Sequence, residues 1–260
     1  MKTPLPTLFV SHGAPTLLID PGPTRDFLKE LGETLGRPRG ILCVSAHWEA
    51  STPTVTLGPN PKTIHDFFGF PPELYEVSYP APGDRQLAQG IIEMLKADGF
   101  AGKEDSERGL DHGAWVPLKL MFPEADVPVV QLSVQSGLGA DHHLRMGKAL
   151  QPLRKAGVLI LGSGGATHNL REFQGQAIDV PPPDYVKDFE TWLCQAVTEG
   201  REDALINYQI NGPSARRNHP TPEHFLPLFV PLGAAGGAQG RLLHRAFTYG
   251  ILSMAAFAWD

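Results

Sequence analysis

Two cysteines, Cys43 and Cys194, are all that the 260 residues contain. That is too few for a disulfide framework, so a packed core must hold the chain together. No apolar run approaches the ~20 residues of a membrane span. Lysine and arginine (22) are outnumbered by aspartate and glutamate (28), giving a net charge of −6. No basic cluster is present, which argues against a nucleic-acid footprint. The opening MKTPLPTLFVSHG lacks the charged, apolar and small-residue layout of a signal peptide, so a cytoplasmic protein is expected. Internal repeats and low-complexity linkers are also missing, and residues 1–260 are expected to form one domain. What the chain does have is ordinary hydrophobic content (42%) and ten histidines.

Strand-like and helix-like segments alternate along the chain. Thr7–Ser11, Ile41–Ala46, Val127–Val134 and Val158–Leu161 are short apolar or β-branched runs, and Pro53–Leu57 is a possible additional strand. Thr24–Leu35, with Thr24 as N-cap, reads as a helix. So do Asp84–Ala97, Asp141–Ala156, Pro183–Thr198 and Glu202–Gln209. The tail Ala246–Phe257 fits strand or helix. Phe70–Pro82 is proline-rich but carries aromatics, so it is expected to be an ordered loop. This alternation predicts an α/β fold: a mainly parallel central sheet with helices on both faces.

Five histidines fall where such segments meet loops. His12 closes TLFVSHG, His47 closes ILCVSAHW, and His168 follows VLILGSGGATH. His112 precedes an apolar helical run, and His224 opens TPEHFLPL. Strand ends are where α/β sites assemble, and imidazole is the commonest metal ligand. His47 ends the next core strand after that of His12; neighbouring strands lie ~4.8 Å apart, so the two side chains are expected to reach one ion at ~2.1 Å. Cys43 cannot join them, because four residues of extended strand span ~13 Å. It reads as a small core residue. RNHPTPEHFLPL is the expected source of a third ligand. With Thr221 as N-cap and Pro222 first in a helix, the helix dipole would keep His224 neutral, and His219 could not share its face. The glycines before His168 read as a flexible turn, and Ser163 lacks a nucleophile elbow. On spacing alone His168 and His112 could each be acid/base, ligand or structural. His142 and His143 are expected to face solvent, and His244 has no context.

FVSHGAP, VSAHWE, LDHGAWVPLKLMFPEADVPVVQLS, GSGGATHNL and HPTPEHFLPL occur in this order. Together they resemble the LigB-type class III extradiol ring-cleaving dioxygenases, and more narrowly the 4,5-DOPA dioxygenase branch. The resemblance implies a mononuclear non-haem Fe(II) site that opens catechol rings beside the two hydroxyls, with O2. Carried over by motif, His12, His47 and His224 match the metal ligands, His168 the acid/base histidine and His112 a residue assisting oxygen chemistry. Ile64–Phe70 resembles a loop bordering the substrate pocket, with His65 as a polar contact and Phe67 as a wall. One departure is that Glu223 sits beside His224, where the wider superfamily resembles a two-histidine, one-carboxylate triad. The DOPA branch favours histidine. An all-histidine set also suits Zn(II), so a zinc-dependent hydrolase is the competing reading, and a non-catalytic relative binding through the pocket is another. The expected partners are a small-molecule catechol and O2, with no nucleic acid and no membrane, in a monomer or small homo-oligomer. Arg171, Arg216 and Arg217 are candidates for holding a substrate carboxylate.

Overall fold

A computed structural model describes residues 4–260 of the chain. Ten strands are present among them: β1 (Thr7–Ser11), β2 (Gly40–Glu49), β3 (Thr54–Thr56), β4 (Lys103–Asp105), β5 (Val129–Val134), β6 (Val158–Gly164), β7 (Gly240–His244), β8 (Phe247–Thr248), β9 (Leu252–Ser253) and β10 (Ala256–Trp259). Eight of them form one sheet in the order β4-β3-β5-β2-β6-β1-β10-β7, and β8 pairs with β9 separately. The central four, β5-β2-β6-β1, are parallel, while β10 runs antiparallel to β1 and β3 antiparallel to β5. The sheet is therefore mainly parallel at its centre, as expected.

Successive residues of each central strand serve opposite faces. Leu42 and Val44 of β2 pack with Ile160 of β6 in one apolar cluster. That cluster is covered by α2 (Arg85–Ala97), the α4 helix (Gly139–Leu150) and the helix Phe229–Ala234. Ile41 and Cys43 pack with Leu8, Val10 and Leu161 in the other, covered by α1 (Pro23–Leu35) and α3 (His112–Met121). Burial on both faces explains why these strands read as continuous apolar runs, and each fully buried Leu or Ile contributes roughly 1.5–3 kcal/mol.

Several boundaries differ from the sequence reading. The helix expected over Asp141–Ala156 breaks at Gln151, because Pro152 has no N–H to continue it. The segment Glu202–Gln209 splits into Glu202–Ile206 and Tyr208–Asn211. The α1 helix begins at Pro23, and Thr24 instead bonds His244 (Oγ1 to Nε2, 3.0 Å), whose ring stacks on Phe27. His143 is buried, not solvent-facing. Its Nδ1–H donates to Gly139 O (2.6 Å) and its Nε2 accepts from Gln135 N (3.0 Å). Neighbouring His142 is half-buried against Gln135 Oε1. The tail resolves into strands, ending in β10, which is buried beside β1. No helix among the described residues is long and apolar enough to cross a membrane.

Candidate metal centre

The C-terminal ends of β1, β2 and β6 bring the strand-end histidines together. The geometry differs from the simple expectation, because β6 lies between β1 and β2. His12 and His47 therefore reach toward each other across a strand, and their Nε2 atoms lie 3.1 Å apart. The Gly162–Ser163–Gly164 run belongs to β6 and is no flexible turn. Its glycines are needed for close approach. A Cβ on Gly162 would stand 2.1 Å from Pro227 O, and one on Gly164 would stand 2.1 Å from His224 O. The bond from Gly165 N to His224 O (2.8 Å) fixes the same contact. The chain at residues 221–225 is thereby pressed onto the sheet, and His224 Nε2 lies 3.3 Å from His47 Nε2. His224 sits in a turn; the short helical segments after it start at Leu226. The expected N-terminal helix dipole is thus not what keeps this ring neutral.

Hydrogen bonding fixes which nitrogen of each ring carries the proton. Ser163 Oγ donates to Gly113 O and so accepts from His12 Nδ1 at 3.1 Å. Glu223 Oε1 accepts from His224 Nδ1 at 3.0 Å. Asp66 Oδ2 lies 3.5 Å from His47 Nδ1. Each Nδ1 faces an acceptor, which leaves the lone pairs on the three converging Nε2 atoms. Burial, reinforced by the neighbouring imidazoles, holds His12 and His224 well below the usual histidine range. It brings His47 to about 3, with His112 adding to the effect and Asp66 opposing it. All three rings are neutral near pH 7, and three lone pairs aimed at one point repel unless a cation sits between them. Separations of 3.1 and 3.3 Å approach the ~3.4 Å edge of a tetrahedron with ~2.1 Å bonds. The donor set fits a divalent metal ion. Asp66 and Glu223 also lie within reach of such groupings, but their oxygens face the Nδ1 side of the rings.

Two more histidines border this cluster. His168 stacks on His224, with ring centroids 3.4 Å apart and planes at 7°. Burial, then the neighbouring His47 and His112, lowers it to about 4. His112 begins α3, N-capped by Asp111, and its ring lies 3.9 Å from that of His47. Its backbone N–H and its Nδ1 both lie 2.9 Å from Asp66 Oδ1. Burial opposes ionisation of Asp66, but the bond from His112 and the charge of that ring outweigh it and bring the carboxyl to about 2. Behind them, buried Asp111 accepts from Ser45 Oγ (2.6 Å) and Arg108 Nη2 (3.1 Å), and the same Nη2 reaches His47 O. A Cβ on Gly113 would strike Ser45 Oγ and His47 Cδ2, so LDHGAW needs its glycine. Sequence reading missed these supporting roles of Asp66, Ser163, Glu223 and Asp111. These roles rest on burial and on contacts between segments far apart in the chain, which are tertiary properties.

The cluster forms the floor of a cavity of about 430 Å3 walled by Phe67, Phe68, Phe70, Leu170, Phe173 and Tyr249. Phe67 lines it. His65 does not: its Nε2 lies 3.0 Å from Val77 O, and its ring packs edge-on to Trp115. A family described as the catalytic LigB subunit of aromatic ring-opening dioxygenase matches residues 6–258. The chain belongs to the LigB family. It is an extradiol-type aromatic ring-opening dioxygenase, and its relatives match over most of their length. A 4,5-DOPA dioxygenase extradiol of Beta vulgaris is 44% identical over 256 residues, covering 96% of this chain and 95% of that one. Another, from Escherichia coli (strain K12), is 40% identical over 244 residues, 92% of this LigB chain and 88% of its own. The crystal structure of an uncharacterized Escherichia coli K12 protein superposes with a TM-score of 0.82 at 35% identity. That match covers 98% of this chain and all of the other.

Proposed function

We propose that this enzyme opens the ring of DOPA or a related catechol beside its two hydroxyls, using O2 and an iron(II) ion held by His12, His47 and His224. The observation that carries the reading is the convergence of three histidine Nε2 atoms at the floor of an aromatic-walled cavity. An iron(II) ion there would supply Lewis acidity toward catechol oxygens and redox capacity toward O2, whereas zinc on the same nitrogens would supply only the first.

The protein's own groups handle orientation and protons. Phe67 and its aromatic neighbours clamp the ring face-on or edge-on and exclude water from the floor. His168, neutral near pH 7 because of burial, accepts a phenolic proton at its ring nitrogen. Its low intrinsic basicity means that it keeps that proton only beside the anionic substrate it has just created. His112 holds its Nδ1–H on Asp66, so its other nitrogen is oriented. It serves the oxygen side of the reaction. Glu223 and Ser163 hold His224 and His12 in the ligand tautomer.

A small-molecule catechol and O2 are the enzyme's partners, and residues 1–260 act as one cytoplasmic domain, as a monomer or small homo-oligomer. Aerobic incubation of iron(II)-loaded protein with a catechol panel tests this reading, following oxygen uptake and yellow ring-opened product. Hydrolysis of an ester or amide by zinc-loaded protein, with no oxygen uptake, would replace it with a hydrolase. Catechol binding without turnover of any substrate would leave a non-catalytic binder.

A further inference from the structure

The cavity above the histidines has an unusual charge balance for a site that would hold an amino-acid side chain. Among the described residues no lysine or arginine lines it, and its one formally charged wall residue is the carboxylate of Asp66. The arginines that sequence reading put forward for a carboxylate are placed elsewhere. Arg217 is paired with Glu172 (2.9 Å) and lies over the Tyr185 ring at 3.8 Å. Arg216 lines a separate cavity with Tyr208 and Ile210, and Arg171 is not a wall residue. Arg25 lines an adjoining cavity of about 450 Å3, but Asp20 and Asp179 line it too.

The rim is apolar instead. Phe68 is 90% exposed, Leu170 57% and Phe173 47%, and all three also line the cavity. Single exposed apolar residues are ordinary, but several gathered round one opening mark a surface that a ligand covers. Tyr249, Gly13 and Ala14 line both cavities, so the two adjoin at this wall, and the apolar rim belongs to the cavity above the histidines.

We propose that the preferred substrate, on the ring-cleavage reading above, is a catechol whose ring substituent is uncharged and apolar, an alkyl or aryl group seated against Phe68, Phe70, Leu170 and Phe173. A carboxylate in that position would lose water without gaining a cation, beside the existing charge of Asp66. An aryl group would gain offset or edge contacts with these three phenylalanines.

The test compares 4-phenylcatechol and 4-butylcatechol with DOPA and 3-(3,4-dihydroxyphenyl)propanoate by kcat/KM for oxygen uptake. Anaerobic quenching of tryptophan fluorescence gives a separate binding readout. The expected result is at least about tenfold higher kcat/KM and tighter binding for the apolar pair, as expected for a charge desolvated without a partner. F68A should cut the advantage of 4-phenylcatechol over unsubstituted catechol several-fold, a readout insensitive to general loss of folded protein. Equal or better kcat/KM for DOPA would overturn the assignment alone. Tighter binding of the apolar pair with no oxygen uptake on any catechol would overturn the ring-cleavage reading and leave the apolar preference as one of binding. Absence of both would overturn both.

Discussion

Gly164→Ala puts the architecture of the centre to its most direct test, because it changes one methyl group and removes no ligand. The added Cβ would lie 2.1 Å from His224 O and 3.3 Å from Pro227 Cγ. Real contacts of this kind do not fall below 3.0 Å, so the strand and the 224 segment must separate by at least about 0.9 Å. A metal site tolerates about ±0.2 Å in its ligand distances, several times less than that displacement. The bond from Gly165 N to His224 O would also lengthen. The variant is expected to lose about 1–3 kcal/mol of stability from overpacking. Its affinity for Fe(II) or Zn(II) should fall at least about 100-fold, or about 2.7 kcal/mol. Competitive chelator titration measures the affinity, and thermal denaturation measured by circular dichroism shows how much folded protein remains. Gly137→Ala, whose Cβ meets nothing within 4 Å, is the matched control. Folded Gly164→Ala protein that binds metal within about threefold of the parent would refute the claim that this strand contact positions His224.

His168→Ala should depress turnover while preserving metal content by elemental analysis; loss of metal would make His168 a ligand instead. Asp66→Asn weakens the acceptor facing both His47 and His112, and is expected to cost about 10–100-fold in metal affinity or kcat. Glu223→Gln keeps an oxygen for His224 Nδ1 and should bind metal far better than Glu223→Ala in the same chelator assay. Metal-free protein should lose stability as pH falls below about 6.5. His143 and His219, held near 4 and 3 by burial, stay neutral when folded but take up protons when unfolded. Each contributes no penalty above pH 6.5 and about 1.4 kcal/mol per pH unit below it, down to its own folded value. Urea midpoints across pH 4–8 measure this, and a flat profile would contradict it.

Much of the fold was legible because the central strands and their covering helices are buried on consistent faces. Runs such as ILCVS and VLILG can be little else, and α2 shows its apolar face openly in Leu87, Ile91 and Leu95. Boundaries failed where packing overrode local pattern. Gly162–Gly164 looks like a turn in isolation and is a strand because another backbone lies against it. His143 looks like a surface helix residue but fills a gap between its own helix and Gln135.

The histidines at the ends of buried segments, and the five motifs that carry the LigB resemblance, are readable along the chain. Local burial and chain direction already constrain these, so periodicity and spacing reveal them. Packing in three dimensions supplied the rest. It set β6 between the two ligand-bearing strands, fixed the proton on each Nδ1 through Asp66, Glu223 and Ser163, and left the cavity wall without a lysine or arginine among the described residues. Those features depend on residues far apart in the chain meeting in space, and spacing along the chain holds no information about which side chains meet.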